Sequence, residues 1–322
     1  MIQAIYQNNR TGDAFELSSI MTGLTWSTKE SGSPGKVEIS LLKEYDTKIK
    51  FDSGSIVAIK DVENGIEKNL FYGYLFNVDT TKTSIRLRFY DQLRYLTSNA
   101  TYVFKEQRLK AVIETIAKDF QLKLGYLENP SHIIRPLVMD NKKILDIILT
   151  ALDDVLIAEK QLYVLFDNYG KLEVRKPQDM AINYILGDAS LITDYNHSKG
   201  IDESYNYIKL VKDNQDTGER EAYIVKDSAN MNLWGKLQLF EVADEKMNAA
   251  QITERANQLL ELHNRDKQSL TIEGIGNLAF VAGRSFYFDA EDITKKGWYV
   301  IDEATHSFKG NNHTMSLTVR MV

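Results

Sequence analysis

Through the first hundred residues apolar positions alternate with polar ones at a period of two. Val37, Ile39 and Leu41 are separated by Glu38 and Ser40, and Ile85, Leu87 and Phe89 by Arg86 and Arg88. This is the pattern of half-buried strands. Leu24-Thr25-Trp26-Ser27 gives another short strand, followed by the breaker cluster Ser31-Gly32-Ser33-Pro34-Gly35. Short strands at close spacing, with no helical period between them, predict a small barrel or sandwich.

The period changes near residue 100. Leu109, Val112, Ile113, Ile116, Ala117 and Phe120 recur at helical spacing and predict an amphipathic helix over 107–120. A loop with Pro130 and Pro136 leads to a second helix at about 142–158, with Ile144, Leu145, Ile148, Ala151, Leu152 and Val155 inward. Segments 162–166 and 171–175 then flank Asp167-Asn168-Tyr169-Gly170, residues that tolerate positive φ, and predict a hairpin. Strands return at 204–211 and 221–226, about a polar turn at 213–218. A third helix is expected over 244–264, with Asp244 as N-cap and Ile252, Ala256, Leu259 and His263 on its apolar stripe.

One pattern occurs twice. GSIVAIK (54–60), FYGYLFNVD (71–79) and TSIRLRFY (83–90) are loosely rewritten as GRSFYFD (283–289), GWYVIDEATHSF (297–308) and HTMSLTVRM (313–321). Each copy opens on a glycine, continues into an aromatic-rich strand, and closes on an alternating one. The inward positions of the closing strands are Ile85, Leu87 and Phe89, then Met315, Leu317, Val319 and Met321. Aligning Gly54 with Gly283 and Gly73 with Gly297 gives spacings of 19 and 14 residues. Self-similarity of this kind predicts two related β domains in one chain.

Composition narrows the function. A chain of 322 residues is long enough for two domains with ample cores. A net charge of −6 argues against a dedicated nucleic-acid binder, whose affinity rests on phosphate neutralisation. The absence of cysteine removes disulfides, thiolate metal sites and cysteine nucleophiles. MIQAIYQNNRTGDAF shows no signal peptide, and apolar runs such as 147–149 and 163–166 predict no membrane insertion.

The sequence offers no catalytic, cofactor-binding or metal-ligating set. His132, His197, His263, His306 and His313 fall in no zinc arrangement, and His263 with Asp266 is an incomplete ligand pair. His306 and His313 flank the tip 309–312 and read as strand-end residues. Gly274-Ile275-Gly276 lacks the third glycine of a dinucleotide fingerprint and the lysine of a P-loop, and reads as a bend. Asp153-Asp154, and Asp289 with Glu291-Asp292, are weak carboxylate candidates, the first pair reading as a solvated helix face. Between Lys82 and Lys110 a basic strip of Lys82, Arg86, Arg88, Arg94, Lys105, Arg108 and Lys110 outweighs Asp91 and Glu106. It reads as a solvated face, with docking of an acidic partner as the alternative.

The ordered series Leu24–Ser27, Ser33–Ile39, Phe71–Tyr74, Phe89-Tyr90-Asp91-Gln92-Leu93-Arg94-Tyr95-Leu96, Ile144–Ile147 leading into Tyr163–Arg175, and Trp298–His306 resembles the baseplate hub proteins of contractile phage tails. The likeness is greatest to the Gram-positive prophage and tail-bacteriocin branch. It extends to late-control D proteins, the T-even baseplate hub and the type VI secretion spike hub. The resemblance implies an α+β, mainly β chain with two related tube-like β-barrel domains, at 1–100 and 181–322. An α/β insert of two helices and a hairpin would lie at 101–180, and a helical segment at about 227–266 would interrupt the second domain. The resemblance further implies a non-enzymatic homotrimer whose six β domains form a ring, joining a six-fold tail tube to a three-fold spike and initiating the tube. Its partners would be the tail tube protein, the central spike or tail-lysin protein, the tape-measure protein and the baseplate wedge, with DNA only passing through the lumen. Its place would be the baseplate of a virion or phage-tail-like particle assembled in the bacterial cytoplasm. A cell-wall glycosidase, favoured by the abundant acids, and a carbohydrate- or receptor-binding tail module, favoured by 17 tyrosines, are the alternatives.

Overall fold

The period-two segments at the start of the chain become seven strands in the computed structural model, which describes residues 1–30, 32–188, 190–213, 220–244, 247–290 and 296–321. They are β1 (Ile2–Gln7), β2 (Ala14–Glu16), β3 (Met21–Lys29), β4 (Lys36–Leu42), β5 (Ile56–Glu63), β6 (Ile66–Thr80) and β7 (Ser84–Tyr90). On β4 and β7, Val37 faces Phe89, Ile39 faces Leu87 and Leu41 faces Ile85. All six side chains are buried, as the alternation requires. With Tyr6, Leu24, Trp26, Val57 and Leu75 they form the first core.

The next stretch supplies β8 (Asn99–Phe104), α1 (Leu109–Asp119), β9 (Leu124–Leu127), β10 (Leu137–Lys143), α2 (Ile144–Glu159), β11 (Val164–Asp167) and β12 (Leu172–Arg175). Both predicted helices and the hairpin are present. Helix α1 buries Leu109, Val112, Ile113, Ile116 and Ala117 along one stripe. Lys142 and Lys143, read as the start of the second helix, instead end β10, which pairs with β8.

After β13 (Ile185–Gly187) and β14 (Ile192–Gly200) come β15 (Tyr207–Asp213), β16 (Arg220–Lys226), α3 (Ser228–Trp234), β17 (Gln238–Val242) and α4 (Ala249–His263). β15 lies between antiparallel β16 and parallel β17, and packs Ile208 and Leu210 against Ile252, Ala256 and Leu259 of α4. Asn248, rather than Asp244, caps α4. Its side chain accepts from Gln251 N while Gln251 returns a bond to Asn248 N, both at 2.9 Å, and this reciprocal box fixes the later start. The predicted turn at 213–218 lies mostly outside the described residues. The chain then closes through β18 (Lys267–Ile275), β19 (Ser285–Asp289), β20 (Gly297–Lys309) and β21 (Asn312–Met321).

Two compact units result. One comprises Met1–Leu152, Leu162–Asn196 and Leu270–Val322; the other comprises Asp153–Gln161 and His197–Ser269. Within the second unit, Arg255 of α4 reaches Asp154 at 3.4 Å and Glu241 of β17 at 3.1 Å.

Strand order makes the internal repeat explicit. In chain order, β3, β4, β5, β6 and β7 lie in the sheet as β3-β4-β7-β6-β5, and β14, β18, β19, β20 and β21 lie as β14-β18-β21-β20-β19. Backbone bonds repeat as well. Gly54 N donates to Leu75 O and Leu75 N to Ser55 O, both at 2.8 Å; Gly283 N donates to Ile301 O at 2.8 Å and Ile301 N to Arg284 O at 2.9 Å. Gly54 and Gly283 hold φ of 82° and 85°, a region other residues enter only with strain. Leu75 and Ile301 are each followed by a β-bulge against the closing strand. Leu75 therefore corresponds to Ile301, which sets Gly73 opposite Tyr299 in the comparison. The expected equivalence of Gly73 with Gly297 is off by two residues, because the early glycine is not the position the hydrogen bonds preserve.

Neither copy closes into a barrel through strand pairing among the described residues. The sheet runs as an open path of strands through both copies, because β3 of the first adds to the edge of β20 in the second.

Candidate functional site at the joint between the two repeats

Joining the repeats uses one edge of β20 twice. Near its start β20 pairs β19, and beyond the bulge at Asp302 the same edge takes β3, with Glu303 opposite Lys29, Thr305 opposite Ser27 and His306 opposite Trp26. Thr305 and Ser27 hydroxyls bond at 3.1 Å, and Thr28 Oγ1 accepts from Ala282 N at 3.0 Å. At the bulge Arg320 donates to both Asp302 and Glu30, the latter at 2.9 Å. Leu278, Val281 and Phe308 from the second repeat pack on the first core. The joint thus has an apolar side that belongs to the first core and a polar side of hydroxyl and ion pairs.

His306 sits at its centre, fully buried. Its ring stacks on Trp26 at 5.4 Å and 27°. Nε2 lies 2.8 Å from Phe280 O, so Nε2 carries the proton and donates. Nδ1 must then accept, and receives a bond from His313 Nε2 at 3.0 Å. The His313 ring in turn stacks on Phe308 at 4.1 Å. Burial drives the pKa of His306 down to about 4, partly offset by the bond to Phe280, with His313 adding to the fall. Burial also lowers His313, against the pull of Asp61. Both rings are neutral at pH 7. His306, read from the sequence as a strand-end residue, is out of solvent because β20 continues past the bulge and β3 covers it, whereas His313 is half-buried.

Gly274 and Gly276 are explained here. A Cβ on Gly276 would fall 2.1 Å from the His313 ring, and one on Gly274 would fall 2.5 Å from Leu191 O. The Gly-Ile-Gly run allows close strand and ring approach at the end of β18.

A second joint, within the first unit, fastens the helical insert to the first sheet. Asp91, buried after β7, accepts from Gly35 N at 2.8 Å and from Leu93 N at 3.0 Å. Gln92 donates to Asp167 at 2.7 Å and accepts from Lys123 N at 3.1 Å, tying the sheet to the β11–β12 hairpin and to the entry of β9. Burial holds Asp91 well above the usual carboxylate range, with Asp167 adding to it. Burial likewise raises Asp167 to about 6 against the lowering bonds from Gly170 and Gln92. The Asp-Gln-Leu run is thus a docking element.

Next to it lies a continuous aromatic face. Tyr169, Tyr72, Tyr74, Tyr95, Phe76 and Tyr90 follow one another with ring centroids 5.5–5.9 Å apart. The guanidinium of Arg94 lies 5.2 Å from the Phe76 ring.

Other sequence candidates disperse. Asp266 pairs with Lys199 at 2.8 Å, and His263 packs edge-on to Tyr205 at 5.7 Å. His132 and His197 lie elsewhere, and no group of three or more metal-binding side chains occurs among the described residues. Asp154 is buried against Arg255 while Asp153 is exposed, so this pair is not the solvated face expected of it. Asp289 pairs with Lys296, and Glu291-Asp292 lies outside the described residues. In the basic strip Arg88 is held by Glu38 at 2.8 Å and by Asp79 at 3.7 Å, and Lys110 by Glu114 at 3.8 Å. The buried His306–His313 contact was not foreseen, although its signal was present: seven residues across a tight tip place two side chains on facing strands.

A doubled five-strand repeat joined edge to edge is a fold shared with phage-tail proteins of known structure. The fold is similar to that of the 43 kDa tail protein of prophage MuSo2 from Shewanella oneidensis, with a TM-score of 0.68 and 11% identity over 99% of this chain and 95% of that one. It is also similar to the E. coli c3393 protein, a component of the type VI secretion system, with a TM-score of 0.54 and 11% identity over 93% of this chain and 73% of that one. A family model described as YQBQ-like matches residues 24–320, and the chain belongs to that family. The phage-like element PBSX protein XkdQ of Bacillus subtilis (strain 168) is 33% identical over 257 residues, 78% of each chain.

Proposed function

We propose that the chain is the hub subunit of a contractile-tail baseplate, acting as a symmetry adaptor and initiator of the tail tube. Three copies, each with two β repeats, present six similar elements to a six-fold tube above and a three-fold surface to a spike below. Residues 1–100 and 181–322 supply the two tube-like domains, and 101–180 the insert between them. Its partners are further copies of itself, the tail tube protein, a central spike or tail-lysin protein, the tape-measure protein and the baseplate wedge. DNA only passes through. It works in the baseplate of a virion or phage-tail-like particle after assembly in the bacterial cytoplasm, and performs no chemistry.

The observation that supports this reading is the repeat itself: the same strand order, the same left-handed glycine and the same bulge occur twice in one chain. A duplicated element in a three-fold ring produces pseudo-six-fold symmetry, and closed rings satisfy heterologous contacts. Native mass spectrometry should give a trimer, alone at high concentration or on adding tube protein, and negative-stain images should show a three-fold ring with six lobes. A strict monomer that never engages tube subunits sinks the proposal.

A further inference from the structure

Arg86, in the middle of the basic strip, makes no ion pair among the described residues. It stands on the face of the sheet turned away from the first core, where two neighbouring rows cross the strands. One row runs from Arg86 on β7 to Ser40 on β4 and Gly23 on β3. The other runs through Arg88, Glu38 and Thr25 to Ser307 on β20. Lys309 lies two residues beyond Ser307, so its side chain leaves the same face. Its Cγ is 4.0 Å from the place a Cβ on Gly23 would take. Gly23, without a side chain, floors a hollow of about 260 Å³, and Thr25, Glu38, Ser40, Arg86, Ser307 and Lys309 stand round it. Glu38 is already engaged, by Arg88 at 2.8 Å and Lys36 at 3.7 Å. Lys309, like Arg86, makes no ion pair among the described residues, and the hydroxyls of Thr25, Ser40 and Ser307 make no hydrogen bond there.

We propose that this hollow binds a phosphate group, which then bridges the two repeats. Three strand spacings set the backbones of Arg86 and Lys309 about 14 Å apart, close enough for two long side chains to converge over the glycine floor. Two cations brought together there repel each other unless an anion lies between them. A guanidinium fork, an ammonium and three hydroxyls offer more donors than the two oxygens of a carboxylate can use. A phosphate is tetrahedral and presents acceptor oxygens in every direction. The missing side chain at Gly23 lets one of those oxygens approach the sheet. The volume falls below the roughly 300–1,000 Å³ of sites that enclose a whole small molecule, and suits a single head group. β3, β4 and β7 belong to the first repeat and β20 to the second, so the bound group fastens their joint from its polar side, opposite buried His306. Two sources offer this chemistry: the free phosphate ion and the phosphodiester backbone of nucleic acid.

Isothermal titration calorimetry of the full chain with inorganic phosphate, at low ionic strength and pH 7.5, should show saturable binding. Arg86→Gln and Lys309→Gln should each weaken it by about tenfold or more. Gly23→Val tests the shape without touching a charge. Its Cβ has ordinary room, 3.5 Å from Phe308 O, while the rest of the side chain fills the hollow and should abolish binding with far-UV circular dichroism unchanged. Lys82→Gln removes a charge of the same strip outside the hollow and should leave the affinity as it was. A short DNA duplex separates the sources. A duplex that binds and competes with phosphate assigns the site to the phosphodiester backbone, and one that does not bind where phosphate does assigns it to the free ion. No saturable binding of either ligand overturns the proposal. So do acetate competing as well as phosphate, full affinity retained in Gly23→Val, and a loss in Lys82→Gln equal to that in Arg86→Gln.

Discussion

Acid should loosen the joint between the repeats through a single imidazole. Protonating His306 turns Nδ1 from acceptor to donor, facing a His313 Nε2 that already donates at 3.0 Å. Around it stand Trp26, Phe280 O and His313, with Asp61 acting only on the outer ring, so no carboxylate meets the new charge. Folded His306 titrates at about 4 against an ordinary 6.5. A depressed folded pKa means that stability is complete above 6.5 and is lost as pH falls through 4. At 1.36 kcal/mol per unit the loss is about 3 kcal/mol. Asp167 works in the opposite sense over nearly the same range, so the wild-type profile alone would mislead. The test is therefore a difference. Urea unfolding of the wild type and of His306→Gln is followed by near-UV circular dichroism from pH 7.5 to 4. The variant is less stable at pH 7.5, and the gap should shrink by about 3 kcal/mol on acidification. A gap that stays constant across that range refutes the reasoning.

Asp167, raised to about 6 by burial, contributes stability that is complete below its ordinary pKa and is lost as pH rises through 6. Asp167→Asn should flatten the unfolding free energy between pH 4 and 6 by about 2 kcal/mol relative to wild type, read by urea unfolding. Gly276→Ala drives a methyl into the His313 ring and should cost about 1–3 kcal/mol, seen as a lower Tm, whereas Gly12→Ala, with open space around it, should cost no more than its strained φ. Arg255→Ala removes a cation from buried Asp154 and should destabilise the second unit by about 3 kcal/mol, measured by hydrogen exchange of α4 and β15.

Much of this architecture was legible because burial dictates period. Val37, Ile39 and Leu41 announced a strand, and the stripe from Leu109 to Ala117 a helix, since a one-residue slip would expose each whole set. The repeat was legible too, but only to within two residues. Side-chain likeness drew Gly73 onto Gly297, whereas the hydrogen bonds align Leu75 with Ile301. Short strands without alternation were lost: β13 has only three residues, and β14 is mostly polar and exposed, so neither shows a buried period. The helix over 249–263 was legible as a helix, from Ile252, Ala256 and Leu259, but its place in the fold was not. It belongs to an excursion between β14 and β18, where the first repeat has only the short loop from β3 to β4. The His306 contact was hidden by another limit. Sequence shows that two residues flank a tip, not that a strand some 280 residues away will roof one of them.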